Sequence, residues 1–69
     1  MEIKATIAGS IYRMLVKQGD VFKKGEEVVI LESMKMEIPI AAEQDGKVEL
    51  IKLSEGDFVN EGDVIIVFS

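Results

Sequence analysis

Apolar and polar residues alternate in two stretches of the chain, residues 2–7 near its start and residues 36–40 just past its middle. A period of two residues places every second side chain on the same face of a β-strand, so both stretches predict half-buried strands. Pro39 lies in the second stretch and has no N–H to donate to a neighbouring strand. We therefore expect this strand at a sheet edge, or Pro39 at a position that needs no donor.

Two continuous apolar runs, Val28–Leu31 and Val64–Phe68, are rich in β-branched residues. Runs of this composition indicate strands that are covered on both faces. In Lys47–Leu53 the alternation slips at the pair Leu50-Ile51, which predicts a β-bulge there. No segment combines helical spacing with a length of ten or more residues. The pattern therefore predicts an all-β protein of about eight short strands.

The same order of glycines, acids and apolar residues occurs twice along the chain. The opening Met1-Glu2-Ile3 recurs as Met36-Glu37-Ile38 if about two extra residues are allowed around positions 42–45. A repeat of this length predicts two similar halves, about residues 1–35 and 36–69, within one domain that forms a sandwich or flattened barrel. Three glycines recur with the same internal spacing: Gly9, Gly19 and Gly25 match Gly46, Gly56 and Gly62.

Glycines also mark the predicted turns. Glycine adopts positive φ without a steric penalty, and many tight turns require that conformation. An aspartate follows Gly19 and Gly56 directly, and we expect both glycines to have positive φ. The four glycines predicted to lie in turns are Gly19, Gly25, Gly56 and Gly62.

One predicted turn contains no glycine. The strands Glu27–Ser33 and Met36–Ala41 leave only Met34-Lys35 between them. Two-residue hairpin loops favour Asn-Gly or Asp-Gly, because both central residues have positive φ, and another residue held there costs on the order of 1 kcal/mol or more. An unfavourable choice that the fold does not demand indicates a functional site. The alternative is an ordinary solvated turn with a surface lysine.

Composition excludes several classes of function. The 69 residues include no cysteine, so disulfides and thiol chemistry are absent, and no histidine, so the usual general base and metal ligand are missing. Thirteen acidic against eight basic residues give a net charge of −5, which is unsuited to nucleic acid. The start of the chain is unlike a signal peptide, and no apolar run is long enough to span a membrane. We expect a cytoplasmic protein with no metal site.

Lys35 is the candidate for covalent modification. A lysine side chain is almost fully protonated at neutral pH, and no histidine is available to activate it. Lys35 therefore suits acylation by a separate enzyme, which would also remove its charge. Met34 and Met36 add adaptable apolar surface beside it. Met36 shares a strand face with Ile38, and we expect it to be at least partly buried.

The segment Glu32-Ser33-Met34-Lys35-Met36 resembles the attachment motif of biotinyl domains, in which the lysine between two methionines carries biotin. The resemblance extends over essentially the whole chain, including the Gly-Asp turns. It implies the flattened β-barrel of biotinyl and lipoyl domains, with two four-stranded antiparallel sheets related by a pseudo-twofold axis. Small stand-alone biotin/lipoyl attachment proteins are most similar, and carrier domains of acyl-CoA carboxylases are nearly as similar.

The resemblance implies a carrier function. Biotin would be joined to Lys35 through an amide by biotin protein ligase, which would read Glu32, Ser33, Met34 and Met36. A biotin carboxylase would use ATP and bicarbonate to carboxylate the tethered biotin, and a carboxyltransferase would move the carboxyl group to an acceptor. The domain would catalyse neither step and is expected to be a monomer in isolation.

The chain departs from the family pattern in three places. Ser33 stands where the family most often has alanine, which affects only the finer ligase contacts. Residues 12–21 are too few to hold the protruding thumb that covers biotin in some carrier subunits. The usual Ala/Pro-rich linker is also absent, so we expect a free-standing protein or a portion of a longer one.

Three alternatives remain open. The first is a lipoyl carrier, or one that accepts both biotin and lipoate, although lipoyl domains typically have aspartate before the lysine and a small residue after it. The second is an unmodified interaction module with the same barrel shape. The third is an enzyme that uses paired carboxylates such as Glu26-Glu27 or Glu61 with Asp63, which lie beside turn glycines and resemble solvated hairpin charge.

Overall fold

The computed structural model describes all residues from Met1 to Ser69 and contains eight β-strands. The predicted all-β architecture is confirmed. No helix is long and apolar enough to cross a membrane. The strands are β1 (Glu2–Lys4), β2 (Gly9–Met14), β3 (Val21–Phe22), β4 (Glu27–Ser33), β5 (Met36–Ala41), β6 (Gly46–Ile51), β7 (Phe58–Val59) and β8 (Val64–Phe68).

The strands form two four-stranded sheets, in the orders β1-β8-β6-β3 and β5-β4-β2-β7, and neighbouring strands are antiparallel. The two apolar runs of the sequence lie in β4 and β8, which are inner strands. Burial of apolar side chains from these strands stabilises the folded state by about 25 cal/mol for each Å² of apolar surface removed from water. Pro39 lies in β5 at the edge of its sheet, as the missing N–H predicts.

Two details of the strands differ from the sequence prediction. β1 ends at Lys4, although alternation continues to residue 7, because Lys4 pairs with Val64, the residue at which β8 begins. The bulge in β6 lies between Val48 and Leu50, so that Glu49 is the extra residue, whereas the slip in alternation placed it at Leu50-Ile51. In each case hydrogen bonding to the neighbouring strand decides the boundary, and alternation records only which side chains are buried.

The internal repeat is more regular than the sequence suggested. β2, β3 and β4 begin 37 residues before β6, β7 and β8, and β1 is 37 residues before the last three residues of β5. Ile3 and Ala5 therefore correspond to Ile40 and Ala42, and all four side chains are buried. The two extra residues expected around positions 42–45 are not needed. The match of Met1-Glu2-Ile3 with Met36-Glu37-Ile38 was wrong because the hairpin lengthens the start of β5.

The two halves are interleaved, since each sheet contains strands from both. Backbone hydrogen bonds join the two halves, and a bond from the first half to the second has an equivalent bond from the second half to the first. The N–H of Gly19 donates to the carbonyl of Val48 at 2.9 Å, and the N–H of Gly56 donates to the carbonyl of Ile11 at 2.8 Å. Such bonds satisfy turn N–H groups that would otherwise lack a partner, and they fix each turn against the opposite half.

The core lies between the sheets and consists of fifteen buried residues, all of them apolar. Phe22 and Phe68 meet edge to face, with ring centroids 5.2 Å apart and an angle of 72° between the rings. Gly46 lies against this pair, because a Cβ atom there would be 2.5 Å from Cδ2 of Phe68 and 2.8 Å from Cζ of Phe22. Gly46 is the counterpart of Gly9 in the repeat, and a glycine is needed at position 46 for packing and not for a turn.

Candidate functional site

The hairpin that joins β4 to β5 carries the candidate lysine. Ser33 pairs with Met36 across it, so the loop consists of Met34 and Lys35 alone. Their φ angles are 54° and 64°, and both lie in the left-handed region that type I′ turns require. Left-handed backbone costs roughly 1–2 kcal/mol for each residue that carries a Cβ atom. The hairpin thus holds two unfavourable residues at its tip.

The side chains of the loop are open to solvent. Met34 is 92% exposed, Lys35 is exposed, and Met36 is 62% exposed. The expectation that Met36 is partly buried was wrong. It does share a strand face with Ile38, but the hairpin extends past the end of the core, so nothing covers that face. Glu32 and Ser33 are half-buried at the base of the hairpin.

Lys35 has no ion-pair partner. The one salt bridge of the structure joins Lys4 Nζ to Glu2 Oε1 at 3.9 Å, and it lies in β1. An unpaired ammonium at a hairpin tip keeps its full rotamer freedom and can enter the active site of another protein. The arrangement offers an accessible amine on a well-defined backbone and provides no group that would deprotonate it.

The base of the hairpin rests on β2. A Cβ atom at Gly9 would overlap the carbonyl oxygen of Glu32 and would lie 3.3 Å from Cβ of Ser33. Only glycine therefore allows β2 to pass this close to β4. The close approach supports the strand that presents Lys35 and explains a glycine that lies outside the predicted turns.

A shallow groove runs from the loop across the end of the sheet. It is lined by small residues of β2 and the residues before it, by the hairpin, and by Phe58 of β7. The sequence analysis missed Phe58, because the pair Phe58-Val59 and its counterpart 37 residues earlier, Val21-Phe22, are alike as apolar pairs. The signal was the reversed order: Phe22 and Val59 are buried, whereas Val21 and Phe58 are exposed.

The four turn glycines lie away from this groove. Gly19, Gly25, Gly56 and Gly62 have φ angles of 89–93° and occupy the third position of equivalent β-turns, the position that requires positive φ in type II turns. In each turn a carboxylate of the fourth residue accepts the N–H of the first. The four donor–acceptor pairs are Lys17–Asp20, Lys23–Glu26, Ser54–Asp57 and Asn60–Asp63.

This arrangement also gives two of the carboxylates considered for catalysis a role in the fold. Glu26 Oε1 accepts the N–H of Lys23 at 3.1 Å, and Asp63 Oδ2 accepts the N–H of Asn60 at 2.8 Å. No three acidic side chains converge in a way that would hold a metal ion. The connection from Met14 to Val21, where a thumb would project, is a short turn around Gly19.

Comparison with known proteins gives consistent matches. Residues 1–68 match the family described as biotin-requiring enzyme. The chain is 54% identical to the biotin/lipoyl attachment protein of Bacillus subtilis, over all of this chain and 94% of the relative. It is 40% identical to the biotin carboxyl carrier protein of Streptococcus mutans, over 94% of this chain and 50% of the relative. A single-chain, multi-domain long-chain acyl-CoA carboxylase contains the same fold, with a TM-score of 0.95 and 28% identity over all of this chain and 7% of that one.

Proposed function

The chain belongs to the family of biotin-requiring enzymes, and on that basis we propose that it is a biotin carboxyl carrier with biotin attached to Lys35. The family is named for the enzymes that require biotin, and the part of them that this chain matches is the carrier, which brings the tethered group to separate catalytic domains. The chain is therefore a carrier and not itself an enzyme. The single observation that supports Lys35 as the attachment point is its position. Lys35 lies in a two-residue loop at φ 64°, exposed and without an ion-pair partner, although glycine or asparagine would be more stable there.

Attachment requires a ligase. Biotin protein ligase uses ATP to convert the carboxylate of biotin to an acyl adenylate and releases pyrophosphate. The Lys35 ammonium loses a proton, Nζ attacks the acyl carbon, and the bond from that carbon to the phosphate oxygen breaks. An amide forms and AMP leaves. The positive charge is lost, and the lysine and the biotin chain together make a long flexible arm. Glu32, Ser33, Met34 and Met36 flank Lys35 in the hairpin and are the first residues that the ligase would contact.

The carrier serves two catalytic partners. A biotin carboxylase adds a carboxyl group to the tethered biotin, and a carboxyltransferase moves it to an acceptor. Tethering raises the effective concentration of biotin at each active site, which replaces two bimolecular encounters with local ones. The role of the domain is therefore to hold the arm on a rigid base that both enzymes can approach.

A second candidate modification is lipoate. The Bacillus subtilis relative is named for both groups, and its match covers all of this chain. Met34 and Met36 favour biotin, because lipoyl domains typically have aspartate before the lysine and a small residue after it. We propose biotin as the main modification and lipoate as a minor one.

The test is the intact mass of the protein after co-expression with a biotin protein ligase in medium that contains biotin. We expect a gain of one biotin less one water, and no gain in Lys35→Arg. Lys52→Arg is the matched control and should gain biotin like the wild type. An unmodified wild type would contradict the proposal, and a gain from a lipoyl ligase alone would replace biotin with lipoate. The modified protein should also accept a carboxyl group from bicarbonate when biotin carboxylase and ATP are added.

A further inference from the structure

The pseudo-twofold repeat gives the two ends of the molecule equivalent backbones. Next to the hairpin, Glu32 of β4 pairs with Ser10 of β2, and Ser10 pairs with Phe58 of β7. Next to the chain ends, Ser69 and Lys47 exchange backbone hydrogen bonds of 2.9 and 3.0 Å, and Lys47 pairs with Val21 of β3. These residues form two rows across the sheets, Glu32-Ser10-Phe58 beside the hairpin and Ser69-Lys47-Val21 beside the chain ends. Each residue of one row lies 37 positions from its counterpart in the other, so the two rows are structurally equivalent.

The side chains of the two rows differ in chemistry. Phe58 and Val21 are exposed to the same extent, 67% and 68%, so the fold buries neither of them. Phe58 makes no aromatic pair, whereas the buried Phe22 is paired with Phe68. In the middle of the row, the lysine end has the small uncharged Ser10, while the other end has Lys47. Of the two rows, only the one beside Lys35 therefore places a large apolar side chain next to an uncharged residue of the neighbouring strand, with Phe58 opposite Ser10 and Val21 opposite Lys47.

Phe58 is close enough to Lys35 for one partner to contact both residues. β7 and β4 are separated by β2, which places their axes roughly 10 Å apart at the usual strand spacing. Phe58 also lines the same groove as Met34 and Lys35. A typical interface of about 800 Å² on each partner has a radius of roughly 16 Å. An enzyme that acts on Lys35 through such an interface therefore covers Phe58 as well.

We propose that Phe58 is the apolar anchor of the surface on which biotin protein ligase docks when it acylates Lys35. This inference rests on the proposed function. Phe58 is a large, exposed aromatic side chain beside the small residues Gly9 and Ser10 of β2. Aromatic side chains of this kind are enriched at the centres of protein interfaces, where a few residues dominate the binding energy. Val21 lies beside the chain ends, in the other sheet, and takes no part in this docking.

The repeat supplies a matched control for the test. Phe58→Glu and Val21→Glu place the same charge at equivalent positions with equal exposure, and Phe58→Val gives the second half the residue of the first. The measurement is the rate of biotin transfer to each apo-protein by a purified ligase at several carrier concentrations. Thermal melting of each variant checks that the fold is retained.

We expect Phe58→Glu to lower kcat/KM for the carrier at least tenfold, mainly through KM, and Phe58→Val to lower it severalfold. Val21→Glu should remain within twofold of the wild type. Phe58 variants that are folded and modified at the wild-type rate would overturn the anchor while leaving Lys35 as the attachment point. Equal losses in the Phe58 and Val21 variants would overturn it too, since they would indicate a general effect of charge. A wild type that accepts no biotin would instead contradict the proposed function.

Discussion

The four glycine turns and the Met34-Lys35 turn all need residues with positive φ, and they use opposite kinds of residue for it. At Gly19, Gly25, Gly56 and Gly62 the chain reverses with φ near 90°, and a carboxylate three residues after the start of each turn accepts a backbone N–H. At Met34 and Lys35 the chain also reverses with positive φ, but both residues carry long side chains and no carboxylate supports the loop.

The difference separates what the fold requires from what the function requires. A turn that serves only the fold can use the residue with the smallest conformational penalty, and glycine is that residue. A turn that must present a particular side chain accepts the penalty, because the surrounding ladder of β4 and β5 holds the backbone in place. Strain at Met34 and Lys35 is therefore evidence that these side chains are needed.

The largest expected effect comes from removing glycine from a turn that serves the fold. Gly56→Val places a β-branched side chain at a φ of 93°, where space is free but the backbone conformation is strained. We expect a loss of about 2–3 kcal/mol in the free energy of unfolding, measured by urea denaturation. Gly56→Asn is the control and should lose less, because asparagine tolerates left-handed backbone. Equal stability of Gly56→Val and the wild type would contradict the account of these turns.

The next effect has the opposite sign. The double change Met34→Asn with Lys35→Gly converts the hairpin loop to the sequence that type I′ turns favour. We expect the free energy of unfolding to rise by about 1–2 kcal/mol, with a melting temperature roughly 4–16 °C higher for a domain of this size. The same variant should accept no biotin. A drop in stability would mean that the side chains of Met34 and Lys35 help the fold, and the contrast between the two kinds of turn would then fail.

The smallest effect comes from the carboxylate of a single turn. Asp57→Ala removes the acceptor for the N–H of Ser54, a bond of 2.8 Å between exposed groups. We expect a loss of about 0.5–1.5 kcal/mol by thermal melting. Asp57→Asn keeps a side-chain acceptor and should retain most of the stability. A loss in the asparagine variant as large as in the alanine variant would indicate that charge, and not the hydrogen bond, stabilises the turn.

Much of this fold can be predicted from the sequence, because the strands have local patterns of apolar residues and the turn glycines recur at a regular spacing. Alternation and apolar runs locate β4, β5 and β8, and the spacing of the glycines gives the turns. The ends of β1 and the bulge at Glu49 cannot be read in the same way, because pairing with β8 sets them. The packing role of Gly46 is equally hidden, since it depends on Phe22 and Phe68, which are distant in sequence.

The functional site likewise has features that local sequence predicts and features that only strand pairing determines. The Met34-Lys35 loop follows from strand lengths and turn preferences, which are local properties. Phe58 approaches the loop only because β7 pairs with β2 and β2 pairs with β4, two contacts that no local pattern contains. The exposure of Met36 was also mispredicted, because alternation gives the direction of a side chain and not the point at which the core ends.

The most direct measurement is the location of biotin among the seven lysines of the chain. Wild-type protein is biotinylated with a purified ligase, digested with a protease that cleaves at acidic residues, and analysed by tandem mass spectrometry. We expect biotin on Lys35 alone, since only this lysine lies in a strained two-residue loop. Biotin on Lys4, Lys17, Lys23, Lys24, Lys47 or Lys52 at a level comparable to Lys35 would contradict this expectation.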